Sequence, residues 1–244
     1  MVGLVAALRD EVTELRRRLE LRPAASPHGS RLFRGQVGGQ DVVLAQSGSG
    51  RENAERATRF LLRRYPLQLV VALGFAGGLS PALLAGELVL CMRLRCQSVP
   101  EALCRPHPGF LSVAARCAVG EPLRLRLGNS VTVARLSTRP LEKRELGECW
   151  DAQAADRESF WIARAAAEGE VPFLALRAIT DPLEFSPPPL DRLLAPDGSV
   201  DWWKAAGRFL THPAELARLP RVGLNAAVAA RNLAEFAGAL LARL

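Results

Sequence analysis

The sequence predicts an α/β fold: a single domain with a central mixed β-sheet flanked by helices. Three observations predict it. Apolar runs of strand length alternate with longer segments of helical spacing, the pattern of a sheet covered by helices. An early pair of strands is joined by Gly38-Gly39, a hairpin that makes the sheet mixed rather than purely parallel. The chain has 244 residues, a length that suits one large α/β domain and buries a full core without cross-links.

Residues Val2–Ala7 read as a buried strand. Arg9–Leu21 follows as a helix, with Val12, Leu15 and Leu19 at helical spacing. Pro23–Gly29 is expected to be a loop, and Arg31–Gln36 with Asp41–Gln46 forms the hairpin. Arg51–Arg64 reads as a helix. Leu67–Leu73 is an apolar run suited to a strand buried on both faces. Glu87–Leu94 is a further strand, and 96–108 is expected to be irregular. Leu111–Val119 is predicted helical, Leu123–Leu136 holds one or two strands, and Leu141–Glu148 is helical. A helix over Arg157–Glu168 and a strand over Pro172–Ile179 follow. Pro187–Pro189 marks a loop, and Asp201–Leu210 and Leu224–Leu244 close the chain as helices. No internal repeat and no interdomain linker interrupts this order.

Composition removes several function classes. Lys and Arg total 32 against 25 acids, a formal net charge of +7. Only Lys143 and Lys204 are lysines, and the arginines are scattered beside Leu and Ala. There is no basic tail and no nucleic-acid-binding motif, so charge here speaks to solubility and no nucleic-acid partner is expected. The five cysteines form no CxxC pair, so neither a disulfide framework nor a zinc site is indicated. Reduced thiols suit a cytoplasmic protein. The first residues lack the basic region of a secretory signal, and no apolar run is long enough to span a membrane.

Two glycine-rich segments are expected to be turns at strand ends: Ser47-Gly48-Ser49-Gly50, and Gly74-Phe75-Ala76-Gly77-Gly78. Glycine permits sharp turns and close ligand approach, and α/β sheets bind ligands beyond the carboxyl ends of their strands. Neither segment matches a dinucleotide or P-loop motif. Three acids follow strands in the same way: Glu11, Glu158 and Asp181. Glu11 and Glu158 also suit helix N-termini, and Asp181-Pro182 suits an N-cap followed by proline.

Together these pieces resemble the nucleoside phosphorylase and nucleosidase superfamily. The matched stretches are GLVAALRDE (3–11), VLAQSGSG (43–50), VVALGFAGGLSPALLAGELV (70–89), DRES (156–159) and VPFLALRAITD (171–181), in the family's order. The resemblance is nearest to the methylthioadenosine/adenosylhomocysteine nucleosidase branch. An insert at about 183–222, before the C-terminal helix, is similar to hopanoid-associated members that release adenine from adenosylhopane.

The resemblance implies cleavage of an N-ribosidic bond. The departing purine gains negative charge and the ribose gains oxocarbenium character. Asp181 matches the acid that protonates the purine, a role that requires burial to raise its pKa. Glu158 matches the anchor of the ribose hydroxyls. Glu11 matches the activator of water. Arg177 matches an arginine that orients Glu11 or Glu158 by a fork-like pair, and Thr180 lies near the base. Ser49, Ala76 and Gly77 line the substrate site. Phosphorolysis is the alternative, with an anion site at Ser47, Gly48 and Arg51 and phosphate as co-substrate. Glu11 beside the nucleophile repels phosphate and favours water. No metal or redox cofactor is implied.

Two residues depart from the family pattern. Phe75 replaces a serine of the glycine-rich loop, and Arg157 replaces a methionine beneath the sugar. A guanidinium under a developing cation is unfavourable. Arg157 therefore turns away, binds an anionic group of the substrate, or marks a nucleoside- or lipid-binding member with impaired catalysis. Trp202, Trp203 and Lys204 mix aromatic and basic character, which suits either a packed interface or peripheral membrane contact. A homo-oligomer is expected.

Overall fold

The computed structural model describes residues 1–25, 31–117, 124–188 and 217–244. Ten strands and six helices are described: β1 (Val2–Ala6), α1 (Arg9–Arg18), β2 (Arg22–Ala24), β3 (Arg31–Val37), β4 (Gln40–Gln46), α2 (Arg51–Arg64), β5 (Leu69–Gly78), β6 (Leu88–Cys96), β7 (Val99–Cys104), α3 (Pro108–Cys117), β8 (Leu125–Thr132), α4 (Pro140–Trp150), β9 (Ala154–Asp156), α5 (Ser159–Glu168), β10 (Phe173–Asp181) and α6 (Leu219–Leu241). They build the expected mixed sheet flanked by helices. The predicted helix at 201–210 and the Trp202/Trp203 segment lie outside the described residues. Among the described residues no helix is long and apolar enough to cross a membrane.

β1 runs parallel to β4 and β5, and β5 runs parallel to β10. Their carboxyl ends therefore point the same way. β10 pairs antiparallel with β6, β6 parallel with β8, β8 parallel with β9, and β9 antiparallel with β5. These pairings close a ring of five strands. β2 and β3 extend the other side through the hairpin.

Both sheet faces are covered, which explains the unbroken apolar runs of the inner strands. Leu4, Leu44, Val71 and Leu73 pack with Leu15 of α1 and Leu233, Phe236 and Leu240 of α6. Val5, Val43, Val70 and Ala72 face the opposite way, toward Leu61 of α2 and Phe160 and Ile162 of α5.

Four expectations need correction. β2 and β7 occupy stretches expected to be loop or irregular. Each contains a proline, Pro23 or Pro100, and each lies at a sheet edge, where one missing N–H costs no ladder bond. Gly74–Gly78 is not a turn: it continues β5, because β10 and β9 both pair with it. Asp181 caps no helix. β10 reaches Asp181, and the turn that follows is closed by the Phe185 N–H donating to the Pro182 carbonyl at 3.0 Å. β9 was not expected at all, since three residues carry no readable period.

Candidate active site

Strand ends bring the predicted residues together. Glu11 lies in the first turn of α1, just past β1. Ser49 and Gly50 follow β4, Phe75–Gly77 belong to β5, and Glu158 follows β9. Thr180 and Asp181 end β10. Gly77 of β5 pairs with Asp181 on one side and with Ala155 on the other. One short segment therefore fixes the positions of the acid on β10 and of the residues leading to Glu158.

Glu11 is buried, at 2% exposure. Its Oε2 accepts the backbone N–H groups of Ala7 and Leu8, both at 2.9 Å. Its Oε1 accepts the Phe75 N–H at 2.7 Å. Burial raises its pKa to about 7, against the pull of these N–H groups and of the Arg177 charge. A carboxylate that titrates there is matched to proton abstraction near neutral pH. Phe75 thus serves Glu11 through its backbone, while its side chain packs against the core.

Glu158 is also buried, and its Oε1 accepts the Ser49 hydroxyl at 2.9 Å and the Gly50 N–H at 2.7 Å. Burial and the neighbouring Asp156 charge raise its pKa, while Arg177 and these two donors oppose the rise. Gly50 has φ +90°, a conformation that side chains resist, so glycine here aims the N–H at the carboxylate. Glu158 has its other oxygen free of these donors.

Asp181 exposes 14% of its side chain. Burial raises its pKa, the direction the sequence predicted, although the Lys143 charge and the Thr180 hydroxyl oppose it. Thr180 Oγ1 donates to Oδ1 at 3.0 Å. Gly77 keeps room for this carboxyl: a Cβ there would lie 3.1 Å from Oδ2.

Arg177 is 1% exposed. It makes no fork-like pair with Glu11 or Glu158, contrary to expectation. Its Nε donates to Ser159 Oγ at 2.6 Å and lies 3.6 Å from Asp156 Oδ2. Its charge still acts through space on Glu11, Glu158 and Asp156. Gly74 is required by this packing, because a Cβ would collide with the guanidinium.

Asp156 is the organiser that sequence reasoning missed. Ser130 and Thr132 donate hydroxyls to its two oxygens at 2.7 and 2.9 Å. The N–H groups of Glu158 and Ser159 donate to Oδ1 at 2.9 and 2.8 Å. Burial would raise its pKa, but Arg177 and these donors win and hold it below the usual carboxylate range. It is therefore a fixed anion that shapes the turn carrying Glu158. Lys143 was also missed. The sequence offered one signal, a rare lysine in an arginine-rich chain; its burial at 1% is visible only in the structure.

The suggested anion site is not assembled as expected. Ser47 and Gly48 donate backbone N–H groups to Ala6 and Ala7, and Ser47 Oγ donates to the Gly48 carbonyl at 2.8 Å. Arg51 turns away, with its guanidinium 4.2 Å from the Trp161 ring and its Nε 3.3 Å from Glu55 Oε1. Arg157 points instead toward Gly50, 3.8 Å from where a Cβ would sit. Its Nε is buried without a hydrogen-bond partner among the described residues.

Fold and site together define an α/β enzyme whose buried acids gather at the carboxyl ends of parallel strands. The chain belongs to the phosphorylase superfamily, whose family profile matches residues 1–209. A 5'-methylthioadenosine/S-adenosylhomocysteine nucleosidase of Tolumonas auensis is 30% identical over 196 residues, covering 74% of this chain and 85% of the relative. A counterpart from Bacillus thuringiensis is 26% identical over the same coverage. Among solved structures, the Neisseria meningitidis nucleosidase in complex with methylthio-immucillin-A aligns with a TM-score of 0.79 at 22% identity. It covers 100% of this chain and 99% of the other. The futalosine hydrolase of Helicobacter pylori gives the same TM-score at 17% identity, covering 100% and 97%. These structures share its fold.

Proposed function

We propose that this protein is a nucleosidase that hydrolyses the N-ribosidic bond of an adenosine-type nucleoside and releases the base. One observation carries the reading: Glu11, Glu158 and Asp181 converge about the Phe75–Gly77 segment of β5. The nucleosidase relatives support the same chemistry.

Each acid has a distinct environment and a distinct task. Asp181, raised by burial, donates its proton to the departing purine. The C–N electron pair leaves with the base. Glu158 uses the oxygen not held by Ser49 and Gly50 to accept the ribose hydroxyls, and its charge offsets the oxocarbenium. Glu11 takes a proton from the attacking water as the C–O bond forms. Water is favoured as the nucleophile because the Glu11 carboxylate repels phosphate, and Arg51, the cation suggested for phosphate, turns toward Trp161 and Glu55. A lipid-tailed adenosyl substrate is the finer reading, and its support is the layout of residues 183–222 in the sequence.

The test is incubation with adenosine, methylthioadenosine and an adenosyl lipid, with and without phosphate, following free base by chromatography. Base release that phosphate does not accelerate is expected. Release only with phosphate overturns the choice of water. No release from any substrate overturns the nucleosidase reading. Release from adenosyl lipid at no better rate than from methylthioadenosine removes the lipid reading.

A further inference from the structure

Lys143 enters the site from α4, an element that carries none of the three acids. Its Nζ lies 2.9 Å from Asp181 Oδ2. It also lies 3.2, 3.1 and 3.0 Å from the backbone carbonyl oxygens of Asp181, Pro182 and Phe185. An ammonium has three protons to donate, and three carbonyls satisfy them. The cation is therefore held in place whether or not Asp181 carries a proton.

The surroundings isolate this pair. β10 presents Thr180 to Oδ1, and β5 presents only Gly77. From α6, Asn225 binds the Thr180 carbonyl at 2.8 Å, and Arg221 stacks 4.9 Å from the Phe185 ring. Arg144 of α4 pairs with Glu184 on the exposed side at 2.9 Å. Of these charged groups, Lys143 is the one in contact with the Asp181 carboxyl.

We propose that Lys143 is a positioning residue of the reaction: a fixed cation that stabilises the carboxylate left on Asp181 when its proton passes to the departing base. This rests on the nucleosidase reading above. In the step, the Asp181 O–H bond breaks, an N–H bond forms on the base, and the C–N electron pair goes to the base. The proton removed from water by Glu11 balances the one given by Asp181. The negative charge appearing on Asp181 lies next to an ammonium already in place, so no reorganisation is needed as the proton moves. An interaction stronger after proton transfer than before it lowers the barrier. The same charge lowers the pH at which Asp181 ionises, which limits how far activity extends into alkali.

The test compares wild type with Lys143→Met, Lys143→Gln and Lys143→Arg. Gln keeps donors for the carbonyls without the charge, so it serves if Met does not fold. Asp181 is titrated directly by carbon NMR of labelled aspartate, with Asp181→Asn identifying the signal. Removing a cation at this distance is expected to raise the ionisation of Asp181 by about 1–3 pH units. Arg is expected to restore most of the wild-type value. In base-release assays, the neutral variants are expected to lose about tenfold or more on the plateau, while their alkaline limb moves to higher pH. An unmoved Asp181 titration in a folded neutral variant overturns the inference, as does an unchanged plateau rate. Wild type that releases no base, with Asp181 shifted by Lys143→Gln, overturns the nucleosidase reading and leaves the Lys143–Asp181 coupling established.

Discussion

At the scale of single residues, the three acids differ by their donors rather than by their type. Glu11 receives three backbone N–H groups yet titrates near 7, because burial outweighs them. Its native state binds a proton that the unfolded chain releases from pH 4.5 upward. Folding stability therefore falls as pH rises from about 4.5 to about 7, by about 3 kcal/mol from this group. Glu158 acts with the same sign. Glu11→Gln is expected to flatten this slope, measured by urea unfolding at several pH values; an unchanged slope would show that Glu11 is ordinary. Asp181→Asn removes the proposed proton donor and is expected to lower base release by about 10²–10⁴-fold. Retention of full rate would sink the acid assignment. These three acids stood out in the sequence as candidates because each falls at or just past a predicted strand end, and the roles expected of them came from the family resemblance. Their supports, Asp156 and Lys143, were less so, since what matters in them is burial and partner geometry, which no spacing encodes.

At the scale of elements, β5, β9 and β10 assemble the site as a unit. Arg177 of β10 is locked to Ser159 of α5 and faces Asp156 of β9. Arg177→Met leaves Asp156 buried without its counter-charge, and such a loss costs about 3–5 kcal/mol. A drop of that size in the unfolding free energy from denaturant titration is expected; a change under about 1 kcal/mol would mean the serine and threonine hydroxyls alone sustain Asp156. Element order and the long helices were readable because their periods span many residues. The Gly74–Gly78 stretch was misread as a turn because glycine signals turns locally. Here its partners on both sides decide, and its missing side chains make room for Arg177 and Asp181. The fork-like Arg177 pair came from the resemblance alone; the Nε of Arg177 faces Ser159 of α5 instead.

At the scale of the whole molecule, the closed ring β5–β10–β6–β8–β9 contains the strand that ends in Asp181 and the short strand that leads to Glu158, while β2 and β7 remain at edges. Amides of β5 and β10 are expected to exchange with deuterium only through global unfolding, and those of β2 and β7 through local opening. Equal protection of the two groups would show that the ring confers no special rigidity. The net charge of +7 plays no part in this site; the cations that matter are Arg177 and Lys143, both buried. The double pairing of Gly77 also governs how this protein can diversify. Exchanging side chains around β5 retunes the pocket without moving its acids. Deleting or inserting one residue within β5 would swap the faces of the strand and break register with β10 and β9 together. The pocket can therefore be re-dressed by point substitution, whereas the register that spaces Asp181 from the residues leading to Glu158 is fixed.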